Sequence, residues 1–392
     1  MRDRADVVVI GAGIMGLSIA YHLAELGVTN VTVVDKGYLC GGASGRNGGG
    51  VRAQWSSEAN VMLMLESIRM CRKFAQQMKI NVWFRQGGYL FVARTPAIRE
   101  RLEQSVALQN RCGLSTRMLT PNEARRIVPE LDASGIEAAS YNPDDGVVFP
   151  WPFVWGYAQA ARKRGVEVLA WHEAIGVDTT GTTIDAVRVR RCGPPGTGAG
   201  AIHSIRTRKV VNAAGAWSPE IATMLGISLP NRPHRHEICS TEPLKPWLKP
   251  LVADLSDGLY FSQSTRGEIV GGIASAYVAP GLDQRSSHAF LGKYALALVR
   301  TCPILAPVKV LRQWAGCYDV TPDSNPIVGP VDEVEHFYQA SGFMGHGFMM
   351  APVAGKLVAE LIATGARDPA LERWNLKRFK EGKLLSEGMI LG

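Results

Sequence analysis

The chain has 392 residues, of which 46% are hydrophobic and 20% charged, enough for a large core and two domains. Its net charge of +8 comes without a long basic run, and its seven cysteines lack C-x-x-C spacing, so we expect no nucleic-acid partner and no metal site. The N-terminus does not resemble a signal peptide, and no apolar run reaches about 18 residues. We therefore expect a cytoplasmic protein without a membrane span.

The first predicted elements form a nucleotide-binding unit. In chain order they are a buried strand (residues 6–10), a glycine turn (11–16), a helix (17–26), a second strand (31–34) and the acid Asp35. In this turn, Gly11 allows a sharp bend, Gly13 lets a pyrophosphate approach the backbone, and Gly16 lets helix and strand pack closely. Asp35 stands where an acid accepts hydrogen bonds from a ribose 2′-OH. The pattern predicts a dinucleotide site; the alternative is an ordinary βαβ unit with an incidental glycine turn.

A second glycine-rich stretch, G-G-A-S-G-R-N-G-G-G-V-R at residues 41–52, indicates which dinucleotide to expect. An NAD site needs no second loop that approaches phosphates here, whereas FAD extends further along the protein. With this stretch, the chain resembles the D-amino-acid-oxidase-like (DAO) family of FAD enzymes, especially the β subunits of sarcosine oxidase and of heteromeric proline or opine dehydrogenases. The motifs that carry the resemblance are residues 11–16, residues 41–52, V-N-A-A-G-A-W-S at 211–218, W-A-G-C-Y-D-V-T-P-D at 314–323 and S-G-F-M-G-H-G-F-M at 341–349.

The later elements, together with the resemblance, imply the fold class. We expect an α/β chain of the two-domain α+β kind, with a Rossmann-type FAD-binding domain and an interleaved substrate domain on a mixed, largely antiparallel sheet. The predicted elements are helices at 57–78, 96–110, 153–164, 290–301 and 352–364, and strands at 206–212, 236–241, 259–262, 268–272 and 337–340. Residues 310–318 are expected to cross back toward the cofactor. We assign residues 1–85, 145–230 and 310–392 to the FAD-binding domain, and residues 86–144 and 231–309 to the substrate-binding domain.

The glycine patterns and the resemblance together name the residues expected at the cofactor. The glycine-rich loop near residue 345 leads into the last long helix, whose N-terminal end favours negative charge on the reduced flavin. The expected cofactor residues are Gly11, Gly13, Ile14, Met15, Gly16, Asp35, Lys36, Gly42, Ala43, Ser44, Arg46, Asn47, Gly48, Gly49, Ala174, Ala214, Gly215, Trp217, Gly342, Gly345, His346, Gly347, Phe348 and Met349.

Three residues are assigned to catalysis and substrate binding. A substrate carboxylate needs a fixed cation, and the resemblance implies that Arg52 faces the flavin; the alternative is a surface or structural pairing. Tyr260 lies in a strand where the family often places an active-site hydroxyl, and the alternative is a packed aromatic. The resemblance places His346 close to the flavin ring, and the alternative is a structural histidine over a glycine turn.

The chain departs from the monomeric sarcosine oxidases of this family at three places. Gly316 stands where those enzymes bond FAD through a cysteine, and Cys317 comes one residue later, so we expect non-covalent FAD. The strand at 268–272 lacks the lysine that promotes reaction with oxygen in those enzymes. Met349 stands where they carry a carboxylate-pairing lysine. A dehydrogenase is therefore slightly favoured, acting on a substrate larger or less polar than sarcosine.

The resemblance implies FAD-dependent oxidation of a secondary amine or imino acid such as sarcosine, proline, hydroxyproline or an opine. Hydride transfer from the α C–H of the neutral amine to flavin N5 gives an imine, which water hydrolyses. Two alternatives stay open: a glycine- or D-amino-acid-type oxidase of primary amines, and a flavin subunit of an electron-transfer or tRNA-modifying complex. The expected partners are a small amino or imino acid and, as for related β subunits, an α subunit or electron-acceptor protein.

Overall fold

The structure is a computed structural model that describes residues 1–194, 198, 200–274 and 279–390. The helices of this part are α1 (Ile14–Glu25), α2 (Glu58–Met78), α3 (Pro96–Arg111), α4 (Pro121–Ile127), α5 (Pro150–Lys163), α6 (Ser218–Thr223), α7 (His288–Thr301), α8 (Gly347–Thr364), α9 (Pro369–Arg373) and α10 (Lys377–Lys380). The strands are β1 (Val7–Ile10), β2 (Val31–Asp35), β3 (Gly50–Val51), β4 (Tyr89–Ala93), β5 (Arg117–Leu119), β6 (Ala138–Asn142), β7 (Gly146–Val147), β8 (Glu167–Ala170), β9 (His172–Thr180), β10 (Thr183–Arg191), β11 (Ile202–Arg206), β12 (Val210–Asn212), β13 (Arg232–Pro243), β14 (Leu251–Asp254), β15 (Leu259–Gln263), β16 (Glu268–Gly272), β17 (Val310–Val320), β18 (Ile327–Pro330) and β19 (Phe337–Ser341).

A six-stranded sheet in the order β18-β19-β12-β1-β2-β8 carries the nucleotide-binding unit. Its strands run parallel except for the antiparallel edge strand β18. The apolar strand β1 is buried on both faces, as is usual for a central parallel strand. Val7 and Val9 pack toward α1, α5 and α8, whereas Val8 and Ile10 pack toward the three-stranded sheet β11-β10-β9. The predicted Rossmann-type layer is confirmed.

Helix α8 lies in this helical layer and packs closely against α1. Gly355 permits the approach, because a Cβ there would lie 2.3 Å from Ser18 Oγ, which donates to the Ala351 carbonyl at 2.8 Å. Among the described residues, α8 is also the helix long and apolar enough to cross a membrane, with a mean hydropathy of 1.3 over 18 residues. Since 67% of that stretch is buried inside the protein, its apolar surface belongs to the core.

The second large sheet has eight strands in the order β17-β13-β16-β15-β14-β4-β6-β5. Neighbouring strands are antiparallel except for the parallel pair β14 and β4, so the predicted mixed, largely antiparallel sheet is confirmed. Phe290 and Tyr294 of α7 and Ala124 of α4 belong to the hydrophobic cluster on one face of the sheet. Tyr89, Tyr260 and other side chains of the sheet reach the cavity described below.

Strand β17 lies in a different sheet from the one that the predicted domain division implies. The division assigned residues 310–392 to the FAD-binding domain. Hydrogen bonds instead join β17 to β13 over its whole length, from Arg232 opposite Val320 to Thr241 opposite Val310. By its pairing, β17 is therefore the edge strand of the eight-stranded sheet. An apolar strand pattern identifies a strand but not its neighbour, which explains the difference.

Candidate active site

One cavity of about 520 Å³ joins the two large sheets. It follows the carboxyl ends of β1, β2 and β12 and continues to the side chains of β13, β15 and β17. The residues of the sequence analysis that line it are Gly11, Gly13, Ile14, Met15, Asp35, Lys36, Gly42, Ala43, Ser44, Arg46, Asn47, Gly48, Gly49, Arg52, Ala174, Ala214, Gly215, Trp217, Tyr260, Gly345, His346, Gly347, Phe348 and Met349.

Two residues assigned to the cofactor, Gly16 and Gly342, do not line the cavity. A Cβ on Gly16 would lie 2.0 Å from the Gly11 carbonyl oxygen, so Gly16 serves the close packing of α1 on β1. Gly342 has φ +78°, and its N–H donates to the Asp319 carboxylate at 2.5 Å. Both glycines support residues of the cavity wall without lining the cavity themselves.

The glycine turn brings backbone N–H groups to the cavity. Gly11 has φ +111°, and a Cβ there would lie 2.3 Å from the Ala213 carbonyl oxygen, so only glycine fits. Helix α1 begins after Gly13 without a side-chain cap. The Ile14 N–H donates to Ser44 Oγ at 2.9 Å, which ties the second glycine loop to the helix start. This N-terminus offers partial positive charge and N–H donors to phosphates.

Asp35 is fixed at the end of β2 by two backbone donors. Its carboxylate accepts from the N–H groups of Ala12 at 2.7 Å and Gly37 at 2.8 Å. Burial raises the pKa of Asp35, although these two hydrogen bonds oppose that effect. Nearby, the Lys36 ammonium lies 4.7 Å from the centre of the Trp217 ring. The ribose-binding position predicted from the sequence is therefore preorganised by backbone groups.

Arg46 and Asn47 hold the second glycine loop in shape. Arg46 donates from Nε to the Gly41 carbonyl and from Nη1 to the Ala315 carbonyl of β17, both at 3.0 Å. Asn47 donates to the Ser44 carbonyl at 2.7 Å. Their side chains join the loop to itself and to the eight-stranded sheet, while both residues still line the cavity.

Arg52 and His346 meet in the cavity wall. Arg52 is 1% exposed, and its Nη2 lies 3.3 Å from His346 Nε2. The guanidinium also donates to the carbonyls of Gln54 and Met389 and lies over the Trp55 ring at 4.1 Å. Three of its N–H donors are thus held by protein groups, which is the structural pairing that the sequence analysis left open beside carboxylate binding.

His346 is neutral in this environment. Burial, reinforced by the Arg52 charge, lowers the pKa of His346 well below its ordinary value, and a hydrogen bond to the Met344 backbone opposes this only in part. Because Nε2 faces a guanidinium, it serves as an acceptor. Its acceptor nitrogen is therefore already engaged, and the imidazole supports Arg52 instead of carrying a free lone pair into the cavity.

A stack of three rings, which the sequence analysis did not find, lines the same cavity. The His236 ring is nearly parallel to those of Tyr260 and Tyr318, with ring centres 5.7 Å and 4.4 Å away and interplanar angles of 15° and 11°. His236 Nε2 is 3.1 Å from the Tyr260 hydroxyl oxygen. Tyr89 of β4 also lines the cavity beside this group.

The stack carries no charge near neutral pH. Burial lowers the pKa of His236 to about 4 and raises the pKa values of Tyr260 and Tyr318 above their ordinary value. The stack depends on how β13, β15 and β17 pair, and His236 lies in register with Gly316. No local pattern in the sequence announces such a cluster, because its members come from three separate strands.

The Cys317 thiol is engaged by backbone carbonyls of the protein. Although the residue lines the cavity, its Sγ donates to the carbonyls of Gly281 and Asp283 at 3.8 and 3.9 Å. Gly316 instead faces the glycine loop, where a Cβ would lie 3.3 Å from Arg46 Cβ. Burial raises the pKa of the Cys317 thiol, which keeps it protonated and unreactive.

These residues fit FAD. The cavity volume lies in the range of roughly 300–1,000 Å³ typical of cofactor sites. At one end, the turn at Gly11 has no room for a Cβ, and Asp35, the acid expected at the ribose, lines the cavity. The glycine loop at 41–50 continues the wall. At the other end, the N-terminus of α8 at Gly347 opens on the same cavity as Tyr260.

Comparison with known proteins agrees with this geometry. A family model described as FAD dependent oxidoreductase (DAO) matches residues 6–361. Sarcosine oxidase subunit beta of Rhodobacter capsulatus is 31% identical over 100% of this chain and 92% of its own length. The crystal structure of L-proline dehydrogenase from P. horikoshii superposes with a TM-score of 0.91 at 35% identity, covering 98% of this chain and 100% of that one. Glycine oxidase from Geobacillus kaustophilus has a TM-score of 0.84 at 23% identity, covering 96% and 99%, a likeness of fold alone.

Proposed function

Because the chain belongs to the DAO family of FAD-dependent oxidoreductases and acts on amino acids as they do, we propose that its substrate is a secondary amino or imino acid. Sarcosine, proline, hydroxyproline and opines are the members of this class that we put forward. Two relatives above 30% identity support the class, since sarcosine and proline are both secondary amines. When bound, FAD supplies the acceptor for the two electrons that leave the α C–H bond of the amine.

The observation that carries this proposal is a buried cation beside an uncharged aromatic surface. Arg52 provides the positive charge in the cavity wall, where a substrate carboxylate would offset the cost of its burial. The neutral ring of His236 and the hydroxyl of Tyr260 lie in the same cavity. Met349 adds apolar surface. An amino acid whose nitrogen carries a methyl group or closes a ring matches this combination.

Each of these residues has a defined task in the proposed reaction. Arg52 binds the carboxylate, and His346 keeps the guanidinium in place through its Nε2 atom. The His236 and Tyr260 pair, joined at 3.1 Å, contacts the uncharged amine and excludes water from it. Helix α8 directs its N-terminus into the cavity and favours negative charge on the reduced cofactor.

We further propose a dehydrogenase that works with a second, different subunit. Strand β16 supplies no lysine to the sheet, consistent with poor reaction with oxygen. The name of the Rhodobacter relative, subunit beta, supports a partner. Trp83, Phe149 and Trp155 are exposed, and aromatic residues of this kind are enriched in interfaces. Cys40, Cys71, Cys239, Cys302 and Cys317 are buried free thiols, consistent with the reducing cytoplasm. The mass in solution of protein from its native host tests the partner, and a monomer would contradict it.

Anaerobic reduction of the bound flavin tests the substrate class. Sarcosine, proline, hydroxyproline and an opine are mixed in turn with the protein, and glycine and D-alanine serve as primary-amine controls. We expect bleaching by at least one secondary amine and slow recovery when oxygen is admitted. Reduction by the primary amines alone would contradict the proposal.

The Arg52→Met variant tests the carboxylate contact. It should keep FAD, while the substrate concentration for half-maximal reduction rises roughly 100-fold, as for loss of one partner of a buried charge pair. Pyrrolidine, which lacks a carboxylate, is the matched control and should be unaffected. An equal effect on proline and pyrrolidine would mean that Arg52 does not bind the carboxylate.

A further inference from the structure

The segment at residues 384–390 returns to the start of α2 and is anchored there by Glu387. Its Oε1 accepts from the Ser56 N–H at 2.8 Å, and its Oε2 accepts from Ser57 Oγ at 3.0 Å and Asn60 Nδ2 at 2.9 Å. Ser57 occupies the N-cap of α2 but makes no side-chain capping bond of its own. Glu387 therefore places its negative charge at this helix N-terminus, where it is stabilising.

Glu387 also fixes the residue that contacts the cavity arginine. Glu387 Oε1 accepts from the Met389 N–H at 3.1 Å, and the Gly388 N–H donates to Ser56 Oγ at 2.6 Å. The Met389 side chain is completely buried in a cluster with Phe91. Its carbonyl oxygen then accepts a hydrogen bond from Arg52 Nη2. A continuous set of contacts thus runs from the start of α2 to the cavity wall.

The same segment stabilises the charge of Arg52. Burial lowers the pKa of this guanidinium, and the nearby groups Tyr89, Glu387 and Asp145 oppose that effect. The Asp145 carboxylate already accepts a hydrogen bond from the Ala53 N–H at 2.7 Å. Removing the Glu387 carboxylate would loosen the Met389 carbonyl and leave a buried donor of Arg52 without its acceptor, so the guanidinium would change orientation.

We infer that Glu387 is a positioning residue for substrate binding: by anchoring residues 384–390 on α2, it holds the Met389 carbonyl against Arg52 and sets how the guanidinium faces the substrate carboxylate. This inference rests on the proposed function, because it needs Arg52 as the carboxylate anchor. It concerns a residue outside the cavity wall, so its effect passes entirely through Arg52.

The test compares two probes on the FAD-loaded protein. Tetrahydrofuran-2-carboxylate has the shape and carboxylate of proline but no amine, whereas pyrrolidine has the amine but no carboxylate. Binding of each is measured from the change in the flavin absorption spectrum. In Glu387→Ala, we expect the dissociation constant of the carboxylate probe to rise about tenfold, as for loss of one charge-assisted contact. The dissociation constant of pyrrolidine should stay the same.

Two further variants separate positioning from general loosening. Glu381→Ala removes an exposed carboxylate paired with Lys383 at 2.8 Å and should leave the binding of both probes unchanged. Met389→Ala removes buried side-chain volume but keeps the carbonyl. The free energy of unfolding should therefore fall by more than the binding free energy of the carboxylate probe. If Glu387→Ala does not fold, Glu387→Gln, which keeps an acceptor oxygen, is measured in the same way and should show a smaller rise.

The outcomes distinguish this inference from the proposed function. If Arg52→Met weakens the carboxylate probe and neither Glu387 variant does, the inference is wrong and the function stands. If Arg52→Met leaves the carboxylate probe unchanged, the proposed carboxylate site itself is wrong. Equal weakening of both probes in Glu387→Ala would show a general structural role and would overturn positioning. In the Arg52→Met background, Glu387→Ala should add nothing for the carboxylate probe.

Discussion

The two ends of the cavity are built in opposite ways. The end that fits the nucleotide consists of backbone: the Gly11 and Gly13 turn, the N–H groups that hold Asp35, and the loop that Ser44 ties to α1. The end that fits the amine consists of side chains, namely Arg52 with His346, and the His236 stack. A site built from backbone groups requires free space for close approach, whereas a site built from side chains requires that distant strands pair correctly.

This difference also appears in what each end tolerates. At Gly11 of the nucleotide end, an added Cβ would meet backbone atoms of Ala213, which cannot move aside, so a single methyl group is excluded. At the amine end, rings and titratable groups are buried, and their protonation states depend on burial. We therefore expect steric changes to act most strongly at the first end and changes of pH at the second.

The largest effect is expected for Gly11→Ala. The new Cβ would lie 2.3 Å from the Ala213 carbonyl oxygen, at φ +111°, so the turn must move. We expect protein that binds little or no FAD and is destabilised by roughly 3 kcal/mol. The ratio of flavin to protein after purification and the urea midpoint measure both effects.

Gly27→Ala, just after α1 and outside the cavity, is the matched control, because its φ is +89° and a Cβ there meets no atom within 4 Å. It should cost about 1 kcal/mol and keep FAD. Gly11→Ala protein that retained stoichiometric FAD would show that the backbone end is not as rigid as described.

A smaller, pH-dependent effect is expected at His236. Its pKa in the folded protein, about 4, lies below the ordinary value of 6.5, so the unfolded chain takes up the proton first. Stability from the neutral ring is complete above pH 6.5 and is lost as the pH falls toward 4, by about 2 kcal/mol between pH 7 and 5. His236→Gln should remove this part of the decline in the free energy of unfolding, measured with urea at both pH values.

Two buried carboxyl groups change the free energy of unfolding in the opposite direction as the pH falls. Burial raises the pKa of Asp145 to about 7 and that of Asp319 to about 6, so both favour the folded state as the pH falls. They are present in wild type and variant alike and cancel in the comparison. His203→Gln, at an exposed position of β11, is the control and should follow the wild type. An identical pH dependence in His236→Gln would contradict the buried neutral ring.

The smallest effect is expected for Cys317→Ser, at a residue of β17 that lines the cavity. Because Sγ donates to the carbonyls of Gly281 and Asp283, the thiol has no role in holding the cofactor. Acid precipitation should release all flavin from both the wild type and the variant, and their FAD content should be equal. Flavin that stayed with precipitated wild-type protein but not with the variant would reveal a covalent bond.

The sequence was most informative where neighbouring residues build the structure. The glycine turn, α1, β2 and Asp35 follow one another within a short stretch, so local spacing predicted the nucleotide end.

Asp323 is the last residue of one of the motifs that carry the family resemblance. In the structure it forms a buried ion pair with Arg378 at 2.7 Å. Burial alone would raise the pKa of Asp323, but Arg378 outweighs it and lowers that pKa.

The sequence was least informative where strand pairing builds the structure. Residues 310–318 were predicted only to cross back toward the cofactor, because the pairing of β17 with β13 could not be derived from periodicity, and His236 was missed for the same reason. Glu387 follows the last helix in a stretch with no predicted element. Its role depends on a contact with Ser57, which lies more than 300 residues earlier in the chain.

The hydrogen bond from Arg52 to Met389 has a consequence for how this protein is made. The two residues are 337 positions apart. At ribosomal speeds of about 5–20 residues per second, the arginine is synthesised roughly 20 to 70 s before its carbonyl acceptor. During that interval the nascent nucleotide unit already has all its local parts, whereas the amine pocket still lacks one wall. This wall of the cavity can therefore form only after Met389 has been synthesised.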